Sequence, residues 1–197
     1  MIKSFGDKRT AQIYEGRYVK RLDTDLQRKA LRRLRYIEAA QTLEDLRVPP
    51  SNKLEKKTGD LKDFYAIWVN AQWRIIFKWK DGDAFDVQFI TITNHRVIGK
   101  VITMIPIEHP GVMLKEDFLD DLGVKPGSFA RAIGVDRAAI KKIIDGKRAI
   151  TADMSLRFGL FFNMSAGFWL NLQKDYELRV AKRDKLAELE RVVERMG

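Results

Sequence analysis

The chain has 197 residues, 45% of them apolar and 32% charged, the balance of a folded soluble protein with room for one large or two small domains. It has no cysteine and only two histidines, His95 and His109, which excludes disulfides, thiolate metal sites and thiol catalysis and makes a zinc site or other bound cofactor unexpected. The net charge of +10 is shared along the chain, with 19 Lys and Arg against 13 Asp and Glu in residues 1–95 and 18 against 14 in residues 96–197. Such an excess favours a polyanionic partner, nucleic acid before a membrane surface.

No apolar run is long enough to span a bilayer and Met1 opens no secretory signal, so a cytoplasmic protein is expected. In residues 20–47, Leu22, Leu26, Ala30, Leu31, Leu34, Ile37, Ala40 and Leu43 recur at spacings of three and four. That predicts an amphipathic helix, whole or broken in two, stopped at Pro49-Pro50. The period then changes. In FYAIWVNAQWRIIFKWKDGDAFDVQFITIT, β-branched and aromatic residues alternate around turns at Asn70-Ala71 and Asp81-Gly82, predicting a three-stranded antiparallel meander. Residues 1–95 therefore form an α+β block with helices on one face of a small sheet.

A β-rich linker, residues 96–103, leads into a second block, residues 104–197, that is helical from Glu108 onward. Gly123, Gly134, Gly146 and Asn163 fall where helix C-terminal caps belong, and Ser128, Asp136, Thr151 and Ser165 where N-caps belong. About five helices fit. The last runs from about Ala166 to Arg195, and the narrow stripe of Leu186, Leu189 and Val193 suits either a solvated tail or a dimer seam.

SFARAIGVDRAAIKKIIDGK, residues 128–147, has the spacing of a helix-turn-helix. Ala130 is small where two helices cross, Gly134 can take the left-handed turn, and Val135, Ile140, Ile143 and Ile144 supply the shared apolar face. The second helix turns Arg137, Ala138, Lys141 and Lys142 outward. Arg137 is the expected base reader, since its fork can bond two acceptors on guanine. Lys141, Lys142, Lys147 and Arg148 suit phosphates, and Ser128 joins the DNA-facing set. An αα-hairpin with a solvated basic face is the alternative.

The motifs IPIEHPGVMLKEDFLDDLGV, the helix-turn-helix, GKRAIT and ADMSLRFGLFFNMSAGFWLNLQKDYEL resemble the HigA/VapI antitoxin repressors over nearly all of residues 104–189. This implies a five-helix repressor, a homodimer and an inverted-repeat operator DNA as partner. IKSFGDKRT, YVKRLDTDLQRKALRRL, DLRVPPSNKLEKKTGD and VNAQWRIIFKWKDGDAFDV in turn resemble the HigB branch of the RelE-like toxins across residues 1–95. That resemblance implies an endoribonuclease acting on messenger RNA at the ribosome, with a toxin–antitoxin contact within or between chains.

Cleavage of RNA by its own 2′-hydroxyl needs a proton acceptor, a proton donor for the departing 5′-oxygen and positive charge at the phosphorane; cationic side chains can supply these without a metal. Arg74 matches the family's phosphate-binding arginine and His95 its C-terminal histidine. Lys57 lies near the position of a catalytic lysine, and Lys53 falls where a basic residue is usual. Trp68 stands where the family has an arginine, and His95 is internal rather than terminal. The rival to an enzyme is therefore an inert toxin fold attached to a dimeric repressor.

Overall fold

The structure, a computed structural model, describes residues 1–20, 22–91 and 105–194. His95 and the linker at residues 96–103 lie outside the described residues. Helix α1, Lys8–Tyr14, opens on Asp7, whose carboxylate accepts from the Thr10 amide at 2.8 Å. Its seven residues are too few turns to announce a face in the sequence. Helix α2, Thr24–Ala39, starts at Asp23, which accepts from the Leu26 amide. It stops at the extended Ala40, and the remainder of the helical run becomes a 3-10 turn, Leu43–Arg47, held by a Thr42/Asp45 capping box.

Four strands follow: β1 Glu55–Lys56, β2 Tyr65–Trp68, β3 Trp73–Lys80 and β4 Asp83–Thr91, in the order β1-β2-β3-β4 and antiparallel throughout. The meander expected from the sequence is β2 to β4; β1 is added by a two-residue pairing that no alternation could reveal. Asp81 and Gly82 both take positive φ, 52° and 81°, the twist that a two-residue hairpin requires. Ile2 and Phe5 pair in parallel with Ala84 and Val87 and cover the outer edge of β4.

The strand registers sort the sheet into two faces. Ile67, Ile75 and Phe89 share the face that joins the helices in the core. Glu55, Ala66, Trp68, Arg74, Ile76, Gln88 and Ile90 share the other, because side chains alternate along a strand.

The second block holds α3 Pro110–Met113, continued by a π-helical stretch Leu114–Asp120, then α4 Pro126–Ala132, α5 Arg137–Ile144, α6 Ala152–Phe162 and α7 Gly167–Val192. Asp136 and Thr151 cap α5 and α6 as expected. Two caps differ. Ser128 lies inside α4, which starts at Pro126 after Lys125, because a proline needs no amide partner in the first turn. Ala166 precedes α7, while the Ser165 amide is drawn to Asp45 Oδ1 of the first block at 2.6 Å. Helical structure likewise starts at Pro110 rather than Glu108, whose carboxylate is held by Arg28 and Arg32.

Helix α2 is buried on both sides. Ala30, Leu34 and Ile37 enter the core, yet Arg32, Arg33 and Arg35 of its polar side are only 6%, 8% and 4% exposed. The stripe that composition marks for water is the seat of the second block. Tyr36 carries the first block's contact into an aromatic cluster, with ring centroids 5.9 Å from Phe118 and 6.0 Å from Phe168. One hydrophobic core consequently runs through both blocks. No helix among the described residues is long and apolar enough to cross a membrane.

Candidate functional site

The outer face of the sheet gathers three of the four candidate catalytic residues around Trp68. Arg74 sits opposite Trp68 in the β2–β3 register, with its Cζ 3.5 Å from the indole centroid. Lys53 Nζ lies 4.1 Å from the same centroid. Both cations are within the range in which the ring's π face attracts a positive charge. Lys57 joins through Glu55, its Nζ 3.0 Å from Oε1, and Glu55 also acts on Arg74 through its charge.

Arg74 does not project freely from its strand. It is 4% exposed, and its guanidinium donates to the carbonyls of Asn70 at 2.6 Å, Trp73 at 2.9 Å and Ala71 at 3.5 Å. Burial lowers its pKa from the ordinary arginine value, against the opposing charge of Glu55. Lys53 is exposed and has a left-handed backbone, φ 43°. The Trp68 indole nitrogen is buried and unpaired. Trp68, which stands where the family has an arginine, is the ring that both cations approach, and Glu55 is a neighbour that sequence reasoning did not include. The register of β2 against β3 supplies that proximity, and no local spacing encodes it.

On the second block, Arg137, Ala138, Lys141 and Lys142 are exposed along α5, and Ser128, Lys147 and Arg148 are exposed beside it. Lys141 pairs with Asp145 at 2.8 Å within the helix, which leaves Arg137 and Lys142 without an ion pair among the described residues. Arg137 lies across Gly127 of α4, so the base-reading candidate and Ser128 border one shallow groove. The turn between the helices has Gly134 at φ 67°, the Val135 amide bonded to Ala130 O at 3.0 Å, and Arg157 of α6 donating to Ile133 O.

Between the blocks lies a third cluster. Asp117 accepts from Arg32 at 3.1 Å and Arg33 at 2.9 Å, and from the Tyr36 hydroxyl. Glu108 accepts from Arg28 and Arg32, each at 3.0 Å, and Glu116 from Arg32 at 2.9 Å. Burial disfavours the Arg32 charge, but Tyr36, Asp117 and Glu108 outweigh it and raise its pKa above the ordinary value. Removing one member of such a cluster leaves a buried charge uncompensated, at a cost of about 3–5 kcal/mol. None of these second-block carboxylates bonds to Lys53, Lys57 or Arg74 among the described residues.

The chain thus joins a small basic α+β unit to a helix-turn-helix unit seated on its α2. The family described as the RelE-like toxin of the type II toxin–antitoxin system HigB matches residues 3–90. Toxin HigB-1 of Vibrio cholerae serotype O1 is 40% identical over 87 residues, 44% of this chain and 92% of that protein. Virulence-associated protein I of Dichelobacter nodosus is 39% identical over 80 residues, 41% of this chain and 74% of that protein. A solved structure, Pseudomonas aeruginosa antitoxin HigA with higBA promoter, is 35% identical and covers 47% of this chain and 100% of its own, with a TM-score of 0.45. The chain belongs to the HigB-like toxins through residues 3–90 and is related to virulence-associated protein I as well.

Proposed function

We propose that this chain is a type II toxin–antitoxin pair on one polypeptide, with residues 1–95 as toxin, 96–103 as connection and 104–197 as antitoxin. The toxin is a ribosome-dependent messenger RNA endonuclease. The antitoxin holds it inactive and binds operator DNA as a homodimer that represses its own synthesis. The observation that carries this reading is the seat of the antitoxin's Glu108, Glu116 and Asp117 on the buried arginines of α2.

In the proposed reaction the 2′-oxygen attacks phosphorus and the P–O5′ bond breaks, giving a 2′,3′-cyclic phosphate and a 5′-hydroxyl. Arg74 and Lys53 stabilise the charge on the phosphorane oxygens, while His95 and Lys57 move the proton from the 2′-hydroxyl to the departing oxygen. On the antitoxin, Arg137 reads a base from the N-terminal turn of α5 and Lys142, Lys147 and Arg148 meet phosphates. One such helix contacts few base pairs, so two copies are required. The apolar side chains exposed on α6, Leu156 at 55% and Leu160 at 84%, support a dimer.

Expression of residues 1–95 alone tests the toxin reading. Ribosome-bound messenger RNA should be cut in the presence of a chelator, and Arg74→Ala should slow cleavage by about a hundredfold or more. The rival, an inert toxin fold partnered with a repressor, draws support from the engagement of Arg74 with three backbone carbonyls. It prevails if residues 1–95 bind ribosomes without cutting and Trp68→Arg restores cleavage.

A further inference from the structure

Among the described residues the second-block carboxylates make no bond to Lys53, Lys57 or Arg74, yet one arginine connects them. Arg33 spreads its three nitrogens over three parts of the chain: Nε to Trp68 O at 3.2 Å, Nη2 to Ser51 Oγ at 3.0 Å, and Nη1 to Asp117 Oδ2 at 2.9 Å. The first partner is the backbone of the residue whose ring both Lys53 and Arg74 approach. The second lies two residues before Lys53, in the 3-10 turn Pro50–Asn52 that delivers Lys53 in its left-handed conformation. The third belongs to the second block.

We propose that Asp117 regulates the candidate ribonuclease site through Arg33, fastening the Ser51–Lys53 turn to the end of β2 and so keeping Lys53 and Trp68 closed over Arg74. This rests on the ribonuclease reading above and adds how a unit seated on α2 acts on the far face of the sheet. Asp117 is the only anionic partner of Arg33 among the described residues. Without it, the guanidinium keeps a carbonyl, a hydroxyl and the Tyr36 ring as partners but no counter-charge in its buried setting, so it turns to water. The bridge between Ser51 and Trp68 is then lost. A non-glycine residue at positive φ holds that conformation only while its surroundings impose it, so Lys53 leaves the indole and Arg74 is uncovered. Arg33 is thus a positioning residue and Asp117 the group that sets it.

The test uses the full chain with Asp117→Asn, Asp117→Glu and Glu108→Gln, the last weakening the same interface without touching Arg33. Amide exchange in residues 48–56 and 65–72 should quicken about tenfold in Asp117→Asn, which is about 1.4 kcal/mol of local opening free energy, the share of the cluster's loss that reaches this segment through Arg33. It should return towards wild type in Asp117→Glu and stay at wild type in Glu108→Gln. Ribosome-dependent cleavage should appear in Asp117→Asn and be absent from the other two. Unchanged exchange in Asp117→Asn, or equal quickening in Glu108→Gln, overturns the proposal, because Asp117 is then only a docking contact. Quickened exchange with residues 1–95 active but Asp117→Asn silent overturns the closing role. If exchange changes as expected while neither Asp117→Asn nor residues 1–95 cut RNA, the Asp117–Arg33 coupling holds and the ribonuclease reading fails.

Discussion

Replacing Gly111 with alanine sets two effects of opposite sign against each other. In a helix, alanine is favoured over glycine by about 1 kcal/mol because it has less backbone freedom to lose. Gly111, however, lies in the first turn of α3, where a Cβ would stand 1.8 Å from Ile143 O and 2.5 Å from Ile143 C. A carbon–oxygen contact relaxes at about 3.3 Å, so the start of α3 and the end of α5 must part by roughly 1.5 Å. The space is walled by backbone and cannot be cleared by turning a side chain. Overpacking of this kind costs about 3 kcal/mol at the upper end of its usual range, which leaves a net loss of about 2 kcal/mol. In a chain of this size that lowers Tm by about 4–8 °C. Because α5 carries Arg137 and Lys142, operator affinity should fall as well. Gly127→Ala is the control: its Cβ would meet Arg137 Nε at an ordinary 3.5 Å, so stability should hold or rise. Thermal unfolding followed by far-UV circular dichroism reads both variants, and a Gly111→Ala chain as stable as wild type would refute the close approach of α3 to α5.

On operator DNA, Arg137→Ala should relax sequence preference, whereas Lys142→Ala should weaken all sequences alike and reduce the salt slope by about one; titrations on specific and random duplexes at several salt concentrations separate them. Asp45 is 1% exposed and accepts from the amides of Gln41, Thr42 and Ser165. Asp45→Ala should therefore cost about 3 kcal/mol in denaturant unfolding, and Glu44→Ala, on the surface beside Arg47, about 0.5 kcal/mol or less. His109 accepts from the Gly111 amide through Nδ1 and meets Tyr176 edge-on at 4.8 Å. Burial lowers its pKa below the ordinary 6.5, with Glu177 opposing. The unfolded chain therefore binds the proton first, and this contribution to stability is intact above pH 6.5 and declines as pH falls below it. A Tm series from pH 7.5 to 5 should show that decline, and His109→Asn, which can still cap α3, should flatten it.

Legibility in the sequence followed the range of the interactions. Asp136, Thr151, Gly134 and Asp81-Gly82 act within a few residues of themselves, and each stands in the structure where local chemistry puts it. The same holds for the outward set on α5, because a helix of eight residues with a full apolar face has one way to sit. Ser165 and Glu108 went elsewhere, to Asp45 and Arg32, partners more than 70 residues away, and local signals carry no trace of such partners. The polar side of α2 shows the limit most clearly. Arg28, Arg32 and Arg35 recur at helical spacing as a solvated stripe would, and only Glu108 and Asp175 of the second block turn that stripe into an interface.

The two faces of the first block bear on how one chain would hold both proposed activities. Its core helix α2 has the sheet against one side and the second block against the other, whereas Lys53, Trp68 and Arg74 lie on the face of the sheet turned away from that core. Among the described residues, no carboxylate of the second-block cluster on α2 bonds to Lys53 or Arg74 on that face. Inhibition by plain coverage would require the second block to reach around an edge of the sheet, and β4 is already lined by Ile2 and Phe5. Two means of control remain within this arrangement. The bulk of the docked helices can keep the toxin out of a confined site on its target, and a contact through the protein can alter the catalytic side chains themselves. Bulk alone predicts that a short RNA in free solution meets the same site whether or not the second block is docked. A contact through Arg33 predicts a difference, because Ser51 and Trp68 change with Asp117. The three donors of Arg33 make this buried arginine the point where docking and chemistry meet.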